Sequence, residues 1–95
     1  MSSQAAQPEM AGFQGEIPPL EPLITEVIST LALAAHAYLS DQDGREPDFR
    51  AADAAIEVAT VAFERIKERL RPDERLAITQ MLTETRLTFV RKRGM

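Results

Sequence analysis

The sequence predicts an all-α domain of three helices, and three observations carry that prediction. From Phe49 to Leu70 the apolar residues Phe49, Ala52, Ile56, Ala59, Phe63, Ile66 and Leu70 recur at spacings of 3, 4, 3, 4, 3 and 4. That is the stripe of a helix face and cannot be a strand pattern. Before it, Leu23 to Leu39 is strongly apolar at helical spacing; after it, Pro72-Asp73-Glu74 and Arg91-Lys92-Arg93 bracket a third helical run. The expected unit has helices over about 22–39, 49–70 and 72–93, behind a flexible N-terminal tail.

Residues 1–19 mix Gln, Gly, Ser and Pro with isolated apolar residues and have no period. Such a stretch buries too little surface to offset its ordering entropy, which predicts a flexible tail preceding one helical domain over 20–95. Its functional alternative is a tether in which Met10, Phe13 and Ile17 fold onto a partner. Pro18 and Pro19 disfavour helix just before them and stiffen the approach to the first helix.

The first helix opens at Pro22, which a first turn accepts because the backbone group it lacks has no helical partner there. Ile24, Val27, Ile28, Leu31, Ala35, Tyr38 and Leu39 mark one face, while Leu23, Ala32, Leu33, Ala34 and Ala37 extend apolar character most of the way round. A helix of this kind belongs between neighbours, and its alanines permit close approach. His36, the only histidine, is expected at a helix edge or in the core with a hydrogen-bond partner, rather than as a ligand or an acid–base group.

Ser40 to Pro47 is a loop by its Asp, Gly and Pro content. Asp41-x-Asp43-Gly44 matches the middle of an EF-hand calcium loop, but the register fails: with Gly44 at loop position 6, position 1 is Leu39 and position 12 is Arg50, where oxygen ligands are required. Asp48 is placed to cap the second helix. On that helix Arg50, Asp53, Glu57, Thr60, Glu64, Lys67 and Glu68 fill the side opposite the stripe.

Pro72 cannot continue the second helix without losing a backbone bond, at a cost of about 3 kcal/mol, yet it fits the first position of a new one. Asp73 and Glu74 then lie at the positive end of the new dipole and Arg91, Lys92 and Arg93 at the negative end. The short connection predicts a tight helix 2–helix 3 hairpin. One long helix kinked at Pro72 is the competing arrangement. On the third helix Ile78, Met81, Leu82, Thr85 and Phe89 share a narrow arc, while Leu76, Leu87 and Val90 point the other way.

Size and charge bound the function. Ninety-five residues form one domain near the small end, where a single core stabilises a fold only marginally. The formal charge is −4, which argues against general nucleic-acid affinity, but residues 1–44 hold six acids and no Lys or Arg, whereas all eleven basic residues follow. Cysteine is absent, so there is no disulfide framework and no thiolate chemistry. No basic segment followed by an apolar core marks a secretory signal, and Thr25, Glu26, Ser29, Thr30 and His36 interrupt the most apolar stretch. The expectation is a soluble cytoplasmic protein with no membrane span.

Several positions together resemble a known family. Ser29-Thr-Leu-Ala-x-x-Ala35, the acidic loop, Pro47-Asp48-Phe49-x-x-Ala52-x-x-x-Ile56-Glu57, Leu70-x-Pro72-Asp73-Glu74 and Leu82-x-x-x-Arg86-x-x-Phe89-Val90 are similar to the small bacterial family designated domain of unknown function 1844. The resemblance covers most of residues 23–91 and implies a short helical bacterial protein without an assigned activity; it supplies no site residues. The chain departs from the family at the second helix's exit, where Arg65-Ile-Lys-Glu-Arg-Leu70 stands in place of a Gly-Asn segment that would stop a helix in the left-handed conformation.

Catalysis finds little to work with. One His and no Cys cannot assemble a nucleophile–base pair readily, His36 has Leu33 three residues before it where a di-iron bundle needs Glu, and neither a Gly-rich phosphate loop nor a paired-histidine zinc motif occurs. No enzyme, cofactor, metal or small-molecule ligand is expected. The expected function is a helical interaction module, or small accessory subunit, that forms a homo-oligomer or joins a larger protein assembly through the first helix and the outer face of the third: Leu76, Leu87 and Val90. The alternative is a regulator making weak, salt-sensitive contacts with nucleic acid or an anionic surface through Arg91, Lys92 and Arg93.

Overall fold

In the computed structural model, which describes residues 17–94, the chain runs up, down and up through α1 (Leu20–Leu39), α2 (Phe49–Ile66) and α3 (Pro72–Arg93). Short 3₁₀ turns occupy Gln42–Gly44 and Lys67–Arg69, and there is no strand among the described residues. Side-chain pairs fix the directions. Glu21 at the start of α1 meets Arg69 just beyond α2, and Phe49 at the start of α2 meets Phe89 near the end of α3 with ring centroids 5.8 Å apart. His36 of α1 reaches Thr85 of α3, so these two helices are parallel and α2 is antiparallel to both.

The α2 stripe becomes the core. Ala52, Ile56, Ala59, Phe63, Ile66 and Leu70 are all buried and Phe49 is half-buried. One cluster joins Ile28 of α1, Ala59, Phe63, Ile66 and Leu70 of the middle segment, and Ile78 and Leu82 of α3. A second joins Ala35 and Leu39 to Ala52, Ala55 and Ile56. Burial of these side chains, at about 25 cal/mol per Å² of apolar surface, holds the three rods together. The α1–α2 pairing is the most extensive, and alanines make it so: Ala32, Ala35, Ala52, Ala55 and Ala59 line it, and a seam of small side chains lets two helix backbones approach closely.

The elements differ from the sequence expectations at three points. α1 begins at Leu20, two residues before Pro22, because Pro19 (φ −65°, ψ 145°) ends the extended segment there and Pro22 still lies among the first turn's unpaired positions. The core face of α1 is Ile28, Ala32, Ala35 and Leu39; Val27 and Tyr38, expected on it, lie on an exposed flank because the small residues take the contact with α2. The α-helical part of α2 ends at Ile66 rather than Leu70. In keeping with the missing Gly-Asn segment, the helix stop uses no left-handed residue: the Lys67–Arg69 turn tightens the end, and Leu70 (φ −94°, ψ 154°) and Arg71 (φ −68°, ψ 155°) are extended ahead of Pro72. Two extended residues exclude one long kinked helix, and the α2–α3 connection is a hairpin.

Local signals elsewhere match their expected roles. Asp48 caps α2 by accepting a hydrogen bond from the Ala51 N–H at 3.0 Å, and its own N–H donates to the Tyr38 carbonyl at 2.8 Å. Glu74 reaches back to accept from the Arg71 N–H at 3.0 Å, closing the start of α3. Asp43 (φ 62°) and Gly44 (φ 75°) turn the α1–α2 loop through the left-handed region, which suits Gly and is tolerated by Asp. Replacing Asp48 by alanine is expected to cost about 1 kcal/mol, read as a lower urea midpoint at unchanged slope. Of the expected tail, residues 1–16, Met10 and Phe13 among them, lie outside the described residues; Ile17 is exposed.

Candidate interaction surface

Thr85 is the one buried polar side chain among the described residues, and it shows how α3 seats on the pair. Its hydroxyl donates to the Met81 carbonyl at 2.8 Å, which uses its single proton. The hydroxyl oxygen therefore accepts from His36 Nε2–H at 3.2 Å, and this contact sets the imidazole tautomer. His36 sits at the helix edge with its ring joined to α3, as the bland sequence reading has it. Among the described residues no titratable side chain bonds to this ring.

Ion pairs tie some of the charged groups to one another, chiefly near the helix ends. The Arg69 guanidinium donates to Glu21 and holds that carboxyl below the usual carboxylate range, clasping the start of α1 to the exit of α2. Arg71 does the same to Asp73. With depressed pKa values these carboxylates favour the folded chain above the ordinary carboxylate range and lose that contribution as pH falls, but both pairs are solvent-exposed and screened. Lys67 pairs with Glu64 at 2.7 Å, Arg75 donates to the Lys67 carbonyl at 3.1 Å and Arg86 donates to Thr60. These bonds line the groove between α2 and α3, so its cations are engaged within the chain. Among the described residues no group of three or more His, Asp and Glu side chains could hold a metal ion.

The C-terminal basic cluster is also partly occupied. Lys92 lies 3.7 Å from Asp41 of the acidic loop, because α3 ends beside the end of α1, and the Arg93 guanidinium stacks 5.5 Å from the Phe89 ring. Arg91 makes one long contact, donating to Thr88 Oγ1 at 3.5 Å. With Lys92 paired to Asp41 and Arg93 stacked on Phe89, the three cations form no broad basic face. A salt-dependent gel shift is expected not to distinguish the natural chain from the Arg91, Lys92 and Arg93 triple-alanine variant.

Exposed apolar side chains are the remaining resource. Leu76, Leu87 and Val90 of α3 are 58, 51 and 64 % exposed and lie outside the core. They are strung along a single helix, however: Leu76 and Leu87 are three turns apart, with exposed Gln80 and Thr83 on the same side between them. A second surface was not anticipated. Val58 is 54 % exposed on α2, and Leu20, Leu23, Val27 and Tyr38 are exposed on α1. Its sequence signal was present: Ala51, Ala54, Val58 and Ala62 recur at 3, 4 and 4, a subsidiary stripe beside the dominant one.

These two stripes adjoin. At about 100° per residue, Leu20, Leu23, Val27, Ala34 and Tyr38 fall on the flank of α1 opposite His36, the residue that touches α3. Ala51, Ala54, Val58 and Ala62 fall on the flank of α2 opposite Thr60, which meets Arg86 of α3. Both flanks lie on the side of the α1–α2 pair that α3 leaves uncovered, with half-buried Ile24 and Leu31 between them. α1 is thus apolar on two sides, core and surface, which explains why a 20-residue helix here is apolar enough to cross a membrane by length and composition.

No family model, curated protein or solved structure matches this chain. The resemblance to domain of unknown function 1844 is accordingly not joined by a family match.

Proposed function

We propose that this chain is a non-catalytic helical interaction module that works by associating with itself or by docking on a partner protein. The observation that supports it is the amount of large apolar side chain left outside on all three helices: Leu20, Leu23, Val27 and Leu33 on α1, Val58 and Val61 on α2, Leu76, Leu87 and Val90 on α3. Isolated exposed apolar residues are ordinary, but Leu20, Leu23, Val27 and Val58 are grouped on one side of the α1–α2 pair, and such a grouping marks an interaction surface. The polar chemistry supports the same reading from the other direction, because the cations lining the α2–α3 groove, Lys67, Arg75 and Arg86, are each bonded within the chain.

Size-exclusion chromatography with light scattering tests it, together with affinity capture from the native cell. The expected result is a species heavier than 10.6 kDa whose mass rises with concentration, or a specific retained protein. A monomer at every concentration that retains nothing would remove the proposal.

A further inference from the structure

Resting on the interaction-module reading, we infer that the partner is a second copy of this chain, seated face to face on the α1–α2 flank in an antiparallel, two-fold arrangement. Area decides between the two exposed surfaces. Over the roughly 27 Å in which α1 and α2 overlap, two helices side by side offer a face about 20 Å wide, on the order of 500 Å² per copy. Two such faces remove about 1,000 Å² or more from water, which reaches the small end of specific interfaces. The outer side of α3 is one helix wide and interrupted by Gln80 and Thr83, and offers about half as much.

Composition favours a copy over an unrelated surface. From Leu20 to Ala62 the face contains no charged side chain, and its ridges are Leu, Val and Tyr with Ala between them, so each copy supplies both knobs and hollows. A two-fold pairing of this kind uses the same patch on both molecules. Charge at the two ends sets the direction. The loop at one end holds Asp41, Asp43 and Glu46 against the single Arg45, with Asp41 paired to Lys92, and remains net acidic, whereas Arg65 lies on the same flank at the other. A parallel pair would stack acidic loop on acidic loop, while an antiparallel pair brings Arg65 of each copy toward the acidic loop of the other.

The test is light scattering of the full chain from micromolar to millimolar concentration, with Val27→Glu and Val58→Glu as disrupting variants and Leu87→Asp as the control. Val27 and Val58 are 44 and 54 % exposed, so each variant should keep its helicity and melt cooperatively. A dimer is expected for the natural chain and for Leu87→Asp, with dimerisation at least about tenfold weaker in both glutamate variants; each tenfold corresponds to 1.4 kcal/mol. Because the chain has no cysteine, Leu20→Cys carries a single spin label, and the two labels of an antiparallel dimer should lie roughly 30 Å apart. Dimers that survive both glutamates but fail with Leu87→Asp would overturn this surface and leave self-association standing. A natural chain that stays monomeric would overturn the dimer; if it also sedimented with phosphatidylcholine vesicles, and Val27→Glu abolished that, the occupant of the face would be a membrane.

Discussion

Replacing Phe63 by alanine is expected to destabilise the fold by about 3–5 kcal/mol, the largest single effect that any one side chain here should have. Phe63 is buried near the C-terminal end of α2, in a cluster to which all three helices contribute. Its cluster draws Ile28 from α1, Ile78 and Leu82 from α3, and Ala59, Ile66 and Leu70 from its own segment. Removing the ring takes away its transfer free energy and leaves a cavity that three rigid helices cannot close completely. A domain of this size has roughly 5–10 kcal/mol in total, so the loss is a large share of it. It should appear as a melting temperature lower by tens of degrees, measured at fixed protein concentration because association would itself raise the apparent stability. Phe63→Leu, which keeps most of the volume, should cost far less. An unchanged melting temperature in Phe63→Ala would mean that the ring does not bridge the helices.

The legibility of this fold in its sequence follows the strength of its periods. α2 could be read almost residue by residue because its buried face is a single 3–4 stripe with charges opposite, so periodicity alone assigns inside and outside. α3 was nearly as clear, since Pro72 and the acidic first turn fix its start. α1 was legible as a helix but not in orientation. It is apolar on two flanks, and the choice of Ile28, Ala32, Ala35 and Leu39 over Val27 and Tyr38 for the core depends on which flank the alanines of α2 come to meet. That is tertiary information, absent from α1 taken alone. The α-helical end of α2 is hidden in the sequence for a related reason: Leu70 continues the 3–4 spacing and is buried, so the stripe runs on after the α-helix has given way to a 3₁₀ turn and extended backbone.

The candidate surface was legible only in part. The exposure of Leu76, Leu87 and Val90 follows directly from the opposed arcs of α3. The broader face did not emerge, because its two halves lie on different helices and neither is conspicuous by itself: Val58 with three alanines on one side, Leu20, Leu23, Val27 and Tyr38 folded into a generally apolar helix on the other. They become one surface only when α1 and α2 are laid side by side with α3 behind them. The basic cluster shows a different case, where a run of charge conspicuous in the sequence has Asp41 and Phe89 beside it in the fold, neighbours that no local pattern announces.

Ala59→Leu is expected to destabilise by about 1–3 kcal/mol, or more if the backbones cannot separate, and it tests the seam on which both the fold and the proposed dimer face rest. Ala59 has no exposed surface and sits against Ile28 where α1 and α2 cross. Alanine and leucine differ little in helix propensity, so a loss here measures packing and not helix formation. Three added carbons must either force strained rotamers on Ile28 and Phe63 or push α1 away from α2. Ala77→Leu makes the same chemical change at an exposed position on α3 and should be nearly neutral, within about 0.5 kcal/mol. The comparison isolates close approach as the cause. If Ala59→Leu melted at the natural temperature, the crossing would contain unfilled space, the alanines would be there for helix propensity alone, and the α1–α2 flanks would no longer be held as one continuous face.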